Sequence, residues 1–549
     1  YSNATAVFLA VMALIAAGLW TREKRVVLKF IYLLANSFMI LVLLATLSKG
    51  AWLIYAIGAI ILISGMPKWY RVKVFYGLAL PFAIGVAVFV KLYHIITSGH
   101  GSAIVYLLVG FFGVVVALAI WELSVYVYKV KVAKLAILST VLIALLLLIP
   151  LGSLGNAVLQ NQSISNEISG LLDFGSNSFT SRYDFNRWGW EIVKDYPVNG
   201  TGAGGWDALY PQYQDYLAWT TEVHNHFLQV WVETGIIGFI AWIAILIIFV
   251  WMIVNYRKKS DHHNWILAWG LSSAALALLV HSLIDFDFSI PAVFIIYWAL
   301  LALINRAVSF ETKEHTVNKS IWLLGNVTIL TLLIGVLLVT GISYFSAIGH
   351  VKEADRLLQQ MHQAEPDERA EIFQKVSRHY LKAVQLDGFN AAYHAEWANV
   401  KAIQYNSLLA VGATDAPIVK NEVIEVIRNT ERLKTYDITI RNRLMEIAMA
   451  IRDLEVMKDQ AEKAVISEPL SIDSYILLAN VLDQGIGYYQ QNNNTVQMRR
   501  YAQELLDLEN RLMTKAGTVN GTRPWSGKPL VFPPEVQAKV DNARQILND

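Results

Sequence analysis

The sequence predicts an all-α protein with two parts, a polytopic membrane domain of about ten spans over 1–345 and a soluble helical domain over 346–549. Hydrophobic residues make up 55% of the 549-residue chain and charged residues only 16%, whereas a soluble domain usually carries about 25% charged residues. The apolar residues are concentrated in long runs, and these runs stop near residue 345, where charged residues become frequent. The change in composition therefore predicts the domain boundary.

The membrane domain is predicted from the length of its apolar runs. A helix needs about 17–25 apolar residues to cross a bilayer. Ten runs have about this length, at 5–20, 28–47, 50–66, 74–95, 103–127, 133–151, 227–255, 264–283, 289–308 and 321–345.

The loops between these runs predict the orientation. Lys and Arg are grouped in every second loop, whereas the alternate short loops hold only Lys49. Basic loops remain in the cytoplasm. The long loop 152–226 and the tail 346–549 are therefore predicted to lie outside. The basic loops are near 22–25, 68–73, 129–134, 257–259 and 306–319.

The tail contains two similar segments, 381–400 (LKAVQLDGFNAAYHAEWANV) and 462–481 (EKAVISEPLSIDSYILLANV). Each has the pattern of a helix end, a short turn and an Ala-rich helix. Such helical hairpins resemble tetratricopeptide repeats, although the offset between the segments is not a multiple of about 34 residues. A generic helical bundle is the alternative interpretation.

Composition excludes several classes of function. A net charge of +2 gives no reason to expect a nucleic-acid partner. The absence of cysteine excludes disulfides, thiolate metal sites and cysteine nucleophiles. The chain opens at Tyr1 without an initiator Met, and we expect that further membrane spans precede it.

Two arginines in the long loop are candidates for binding a phosphate group. Arg182 and Arg187 lie near the predicted outer membrane surface. A guanidinium group there stays charged and can hold phosphate oxygens bidentately. In the alternative interpretation, these arginines pair with Asp184, Glu191 or Asp195.

His224 lies where the long loop meets the next apolar run. An imidazole is the usual general base near neutral pH, and either Glu222 or Glu233 is a candidate for orienting it. A structural role is the alternative. A metal site formed by His224 and His226 is a weaker hypothesis, because this spacing is no recognised ligand pattern.

Two other clusters are polar or glycine-rich. Residues 200–205 (GTGAGG) formally match G-x-G-x-x-G, but no βαβ pattern surrounds Gly200 and Gly202, so tight turns are a better interpretation than a dinucleotide site. A polar cluster of His281, Asp285 and Asp287 closes the eighth apolar run. Ionisable residues at membrane depth tend to be functional, although a structural role remains open at the membrane surface.

Four segments within residues 1–300 form a recognisable set: NATAVFLA (3–10), TLSKGAW (46–52), the block from Arg182 to Gly202, and HNHFLQVWVETGIIG (224–238). In these segments the chain resembles the O-antigen ligase and O-antigen polymerase superfamily, which includes bacterial protein O-oligosaccharyltransferases. HSLIDFDFSIP (281–291) resembles members that have a helical-repeat tail. Lys49 stands where the family commonly has Arg, so the charge is kept but the planar fork is lost.

The resemblance implies an inverting glycan transfer from undecaprenyl diphosphate, without metal or cofactor, at the outer face of the bacterial cytoplasmic membrane. His224 would deprotonate the acceptor hydroxyl, and Arg182, with Lys49 or Arg187, would stabilise the leaving diphosphate. Supporting roles are expected for Glu222, Asn225, Glu233, Gly200, Gly202, His281, Asp285 and Asp287.

Two related activities are compatible with such a site. A ligase would transfer the glycan to another glycan, a lipid or a protein, and the tail favours this because helical repeats bind peptides and proteins. The alternative is a polymerase that joins lipid-linked repeat units. A transporter fits less well, because the polar residues gather at one face and do not line a path at the midplane.

Overall fold

The computed structural model describes residues 1–98, 102–129, 177–309, 319–523 and 527–548. All regular secondary structure in these ranges is helical. The chain forms two compact units, and they differ from the predicted domains in two respects. The membrane unit comprises Tyr1–Trp206 and Thr221–Lys313, and the tail unit comprises Asp207–Thr220 and Glu314–Asp549. The last apolar helix and a short piece of the long loop therefore belong to the tail unit.

Ten α-helices of the described residues end before residue 310. They are α1 (Ser2–Arg22), α2 (Val26–Ala45), α3 (Lys49–Gly65), α4 (Lys68–Ser98), α5 (Ala103–Lys129), α6 (Asn177–Asp195), α7 (Gly205–Tyr213), α8 (His226–Lys259), α9 (His262–His281) and α10 (Pro291–Ser309).

Eight helices of the described chain are long and apolar enough to cross a membrane, and they correspond to eight of the ten predicted spans. Seven are in the list above, and the eighth covers Leu324–Met361. The predicted span at 50–66 is the apolar helix α3, which has only 17 residues. The predicted span at 133–151 lies outside the described residues.

Helix α1 lies at the centre of the membrane unit and packs against α2, α3, α4 and α9. Its buried positions are mostly small residues such as Ala6, Ala10 and Ala13. Small side chains allow helix backbones to approach closely, which is how membrane helices gain packing energy. At the crossing with α9, a Cβ atom on Gly18 would lie 3.3 Å from Cα of Gly270. The sequence of α1 therefore permits the contact that brings its N-terminus to the end of α9.

Helix α8 contains a break at Gly235, where φ is 65° and ψ is −170°. Such a conformation suits glycine, which has no Cβ. The residues before the break form a short helix, and residues 236–259 provide about 36 Å of helix, enough to cross a bilayer. The predicted span at 227–255 therefore includes one helical segment that lies before the break.

The tail unit is a succession of helices in which each packs on its neighbours along the chain. Both similar segments contain the expected helix, four-residue turn and helix, with turns at 387–390 and 468–471. The tetratricopeptide class itself stays a prediction. The helices are α11 (Lys319–Gln363), α12 (Pro366–Leu386), α13 (Ala391–Ala410), α14 (Ala416–Leu433), α15 (Ile438–Ala450), α16 (Leu454–Ser467), α17 (Ile472–Gln491), α18 (Thr495–Gly517) and α19 (Pro534–Asn548).

The loop segment 207–220 packs within the tail unit. Leu217 contacts the apolar core formed by helices α15 to α19. The carbonyl of Asp215 accepts a hydrogen bond from the backbone N–H of Asn520 at 2.8 Å. The guanidinium of Arg523 lies 5.8 Å from the centre of the Tyr216 ring. The chain thus leaves the membrane unit after Trp206 and returns at Thr221, three residues before His224.

Candidate active site

Asp285 is the centre of a buried hydrogen-bond network in the loop between α9 and α10. Only 1% of this residue is exposed. Its Oδ2 accepts from Nη2 of Arg182 at 3.2 Å and from Nδ2 of Asn3 at 2.9 Å. Its Oδ1 lies 3.2 Å from Nδ1 of His224 and accepts from the Tyr1 hydroxyl at 3.4 Å. One carboxylate therefore joins the two residues that the sequence predicts to be central.

The charge of Asp285 is set by these neighbours. Burial on its own raises the pKa of the carboxyl, but the hydrogen bond from His224 and the positive charge of Arg182 outweigh burial and hold the pKa at about 2. Burial and the adjacent charge of Asp285 raise the pKa of Tyr1 to about 12. At neutral pH the network therefore contains an ionised Asp285 and a neutral Tyr1.

The ionised carboxylate fixes the chemical role of the His224 ring. A carboxylate only accepts hydrogen bonds, so the hydrogen of a neutral His224 ring lies on Nδ1. The other nitrogen, Nε2, then carries a lone pair and can accept a proton. The His224 side chain is 17% exposed. Its ring lies between the rings of Phe185 and Phe286, with centroid distances of 5.7 and 4.8 Å. This arrangement suits a general base.

The backbone at the start of α8 places His224. The φ of His224 is 59°, a left-handed conformation that is uncommon for residues other than glycine. The next residue, Asn225, caps the helix by accepting from the N–H groups of Phe227 and Leu228 at 3.1 and 3.3 Å. Asn225 also donates to Oδ1 of Asn186 in α6 at 2.8 Å. The predicted supporting residue Asn225 therefore connects the segment that contains His224 to the helix that carries Arg182.

The two predicted arginines have different surroundings. Arg182 pairs with Asp285, whereas Arg187 pairs with Asp184 at 3.5 Å. Five residues along an α-helix correspond to a rotation of about 140°, so the two arginines point to different sides of α6. The alternative interpretation of pairing with Asp184 thus applies to Arg187.

Glu222 and Glu233, the residues predicted to orient His224, form hydrogen bonds with other groups. Glu222 accepts from the hydroxyl of Ser289 at 2.9 Å. Glu233 accepts from Nε2 of Gln229 at 2.6 Å and from the N–H of Gly204 at 3.2 Å. The carboxylate at His224 is instead that of Asp285, because the loop after α9 returns to the start of α8.

The glycine-rich segment packs against the break in α8. The N–H of Gly202 donates to the carbonyl of Glu233 at 2.9 Å, and the N–H of Ile236 donates to the carbonyl of Pro197. Gly200 has a φ of 67°, and a Cβ there would lie 2.4 Å from the backbone nitrogen of Gly235. Gly200 therefore permits a close contact between two backbones, as the turn interpretation predicts. The segment holds the start of α8 in place.

A second histidine and carboxylate pair lies nearby in the membrane unit. Nδ1 of His281 is 2.5 Å from Oδ2 of Asp287, and both residues are almost fully buried. Burial raises the pKa of Asp287, although His281 opposes this effect. A Cβ on Gly50 would lie 3.2 Å from Nε2 of His281. The pair therefore supports the start of α3, where Lys49 is the first residue.

Two residues of the network, Tyr1 and Asn3, were not predicted as site residues. Asn3 opens the NATAVFLA segment, which was the available signal. The ring of Tyr1 stacks on that of Phe286 with a centroid distance of 4.9 Å. Both residues reach Asp285 because α1 packs along α9.

A paired metal site at His224 and His226 finds no support in the geometry. His226 lies among aromatic rings, 5.3 Å from Trp242 and 4.9 Å from Phe288 between centroids. His224 instead faces Asp285. In the part of the chain that the structure describes, no group of three or more His, Asp or Glu residues is arranged to hold a metal ion.

Comparison with known families agrees with part of the resemblance. Residues 86–243 match the family described as O-Antigen ligase. This region contains Arg182 and His224 but neither Asn3 nor Asp285. A search of curated proteins returned no significant match. The eight apolar helices of the described residues and this match support a polytopic membrane protein in which residues 86–243 are similar to the O-antigen ligase family.

Proposed function

We propose that this chain is a membrane glycosyltransferase of the ligase type, which transfers an oligo- or polysaccharide from undecaprenyl diphosphate to a hydroxyl of a cell-surface acceptor. The observation that carries the proposal is the buried Asp285 carboxylate, which binds His224 and Arg182 together. A base for the acceptor and a cation for the leaving diphosphate are the two groups that such a transfer needs. The family match over 86–243 supports the same reaction class.

The reaction follows from the positions of these groups. Nε2 of His224 removes the proton of the acceptor hydroxyl while the hydroxyl oxygen forms a bond to the anomeric carbon of the donor sugar. The bond from that carbon to the diphosphate oxygen breaks, and its electron pair leaves with the diphosphate. A single displacement of this kind inverts the anomeric configuration. Arg182 stabilises the increasing negative charge, and Asp285 stabilises the imidazolium that His224 becomes.

The remaining basic residues have secondary roles in this proposal. Lys49 begins α3 beside the buried His281 pair, and it supplies a further positive charge for the diphosphate. Arg187 is 40% exposed and paired with Asp184, so it contributes less than Arg182. We assign no metal or cofactor to the reaction, because the proposed groups supply both base and cation.

The proposed location is the bacterial cytoplasmic membrane, with the site and the tail on the extracytoplasmic side. The alternation of basic loops supports this orientation. Lipid-linked donors have their diphosphate at the headgroup level. Asp285 is in the loop that joins the two apolar helices α9 and α10, which supports a position for the site at that level.

Ligation is favoured over polymerisation because of the tail unit. The tail unit includes segment 207–220, which ends four residues before His224. An acceptor bound by the tail would therefore be coupled through the chain to the base. A polymerase that joins lipid-linked repeat units is the alternative. Surface glycans of a strain lacking the protein distinguish the two, because unattached long chains indicate a ligase and unpolymerised units indicate a polymerase.

The catalytic assignment is tested by separating donor binding from transfer. His224→Ala should abolish transfer, a loss of about 10²–10⁴-fold, and leave donor binding nearly intact, because a base acts on the acceptor proton. Arg182→Ala should weaken both donor binding and turnover, since diphosphate charge is present in the ground state and increases in the transition state. Arg182→Lys should restore only part of the loss, because bidentate geometry is absent.

The measurements are binding of a labelled polyprenyl diphosphate donor and transfer, on folded variants in detergent. Arg187→Ala is the matched control on the same helix, and we expect a smaller effect than for Arg182→Ala. Near-normal transfer by His224→Ala would refute the assignment. If His224→Ala lost donor binding as severely as Arg182→Ala, His224 would be a diphosphate ligand and the base would lie elsewhere.

A further inference from the structure

Helix α11 is continuous from an exposed apolar segment to the first helical hairpin of the tail. Its residues from Leu324 to Phe345 are almost all apolar and mostly exposed. At 1.5 Å per residue this stretch is about 33 Å long, which matches the hydrocarbon thickness of a bilayer. It ends in Tyr344 and Phe345, which are 48% and 79% exposed. Aromatic residues are enriched at the membrane–water interface, so this end of the stretch marks the membrane surface.

Helix α12 returns antiparallel along α11, and two contacts fix the register between them. The hydroxyl of Ser343 donates to the carbonyl of Leu386 at 3.0 Å. Seven residues further from the membrane, Nδ1 of His350 lies 2.9 Å from Nδ1 of His379, which is seven residues before Leu386. The register between the two helices is therefore the same at both contacts, and α12 ends at the level of Ser343. The turn 387–390 that follows reaches the level of the apolar stretch.

Phe389 lies in this turn and is 85% exposed. Exposing a Phe side chain to water costs roughly the free energy gained by burying it in an apolar medium, yet the hairpin leaves it outside its own core. Ile342 of α11, at the same level, is also exposed, at 69%. In a bilayer that α11 crosses, lipid would cover the helix at this level and would give the exposed Phe389 an apolar environment.

Several polar groups of the turn have local hydrogen-bond partners. Nε2 of His394 lies 3.0 Å from the carbonyl of Gly388. Asn390 caps α13 by accepting from the N–H of Ala392 and also donates to Asp387 at 3.1 Å. Backbone groups that enter a region poor in water need such internal partners.

Basic residues lie above the turn, on the side away from the apolar stretch. Lys382 is level with Ala347 by the register described above, and Lys352 and Arg378 lie about 13 Å from the level of Ser343. All three are exposed. Their height corresponds to lipid phosphate groups, which attract positive side chains.

We propose that the turn 387–390 is a membrane-contact site, in which Phe389 inserts between the headgroups of the membrane that α11 crosses and Lys382, Lys352 and Arg378 face the lipid phosphates. The occupant is the lipid surface itself. This contact adds a second attachment point beside α11. The first hairpin of the tail is therefore held against the membrane surface and cannot rotate freely about α11.

The test uses the whole 549-residue chain, which contains no cysteine. Single cysteines replace Phe389, Phe345 and Val411, and each carries a nitroxide spin label in vesicles of phosphatidylethanolamine and phosphatidylglycerol. Power saturation compares collisions with oxygen, which concentrates in lipid, and with a water-soluble nickel chelate. Val411 is the matched control, because it is apolar and 77% exposed at the far end of the 20-residue helix α13.

The label at Phe389→Cys should resemble that at Phe345→Cys, with oxygen collisions in excess over nickel. The label at Val411→Cys should show the reverse. All three side chains are exposed, so the variants should keep the helical content of the parent chain. A label at Phe389→Cys with the water accessibility of Val411→Cys would overturn the proposal. A membrane signal at Val411→Cys as well would also overturn it, since a general association of the tail with lipid would then account for Phe389.

Discussion

Asp285→Asn is the substitution that tests the network most directly. The amide keeps the shape of the carboxylate but has one acceptor oxygen in place of two. In the native site, Oδ1 accepts from the N–H of Phe286 at 2.9 Å and faces His224, whereas Oδ2 accepts from Arg182 and Asn3. Whichever orientation the amide takes, one of these two groups of donors faces an NH₂ group. The substitution also removes the negative charge that stabilises the imidazolium of His224.

The size of the effect can be estimated from the interactions that are lost. A hydrogen bond to a charged group contributes about 1.5–3 kcal/mol, and breaking a buried ion pair by removing one partner costs about 3–5 kcal/mol. If about 3–4 kcal/mol of this appears in the transition state, kcat falls about 10²–10³-fold. Donor binding should stay unchanged or become tighter, because Arg182 is released from a competing carboxylate.

The assay measures kcat for transfer and the dissociation constant of a labelled polyprenyl diphosphate. The matched control is Asp287→Asn, since Asp287 is as buried as Asp285 and also binds a histidine, His281. It does not replace the carboxylate at His224, so we expect kcat within about tenfold of the parent value. Equal loss of kcat in both variants would refute the special role of Asp285. A near-normal kcat for Asp285→Asn would also refute it.

Four further predictions concern metal, topology, the tail and pH. Transfer by the purified protein should survive EDTA, and loss of activity that Mg²⁺ or Mn²⁺ restores would refute a metal-free reaction. Single cysteines at Ala413 and His262 should differ on intact cells, with an impermeant maleimide labelling only the first; the opposite pattern would reverse the orientation. Leu217 is partly buried against the tail core, so Leu217→Ser removes part of the about 1.5–3 kcal/mol that a fully buried Leu contributes. It should lower transfer while donor binding is retained, whereas Val411→Ser, at an exposed apolar position, should leave transfer unchanged. The pKa of Asp285 is lowered to about 2, so its ionised form stabilises the folded chain. This contribution, on the order of 2 kcal/mol, is complete above the unfolded pKa of about 4 and is lost as the pH falls toward 2. Thermal unfolding should therefore show a stability difference between the parent and Asp285→Asn that disappears over this range.

The helices were largely predictable because their signals are local. An apolar run of sufficient length predicts a membrane helix wherever it occurs, and eight of the ten predicted spans have the expected helices. The break at Gly235 was not predicted. Its signal was a glycine near the start of an apolar run, but glycine is common in membrane helices. Only the close approach of Gly200 shows why the chain needs that conformation.

The candidate functional residues could also be identified from local sequence, but the residues that they contact could not. The sequence drew attention to His224 through its position at the start of an apolar run, and to Arg182 through its charge in an outer loop. It offered Glu222 and Glu233 as partners because they are near in the chain. Nearness in sequence is a poor guide here, since the start of α8 faces the loop after α9.

The sequence by itself determined the helices, the membrane character and the candidate base and cation, because length, hydropathy and charge act along the chain. Tertiary structure alone decided that one carboxylate serves both groups. Asp285 is separated from His224 by 61 residues, from Arg182 by 103 and from Asn3 by 282. Such contacts depend on how α1, α6, α8 and α9 pack, and packing depends on the shapes of all the facing side chains together.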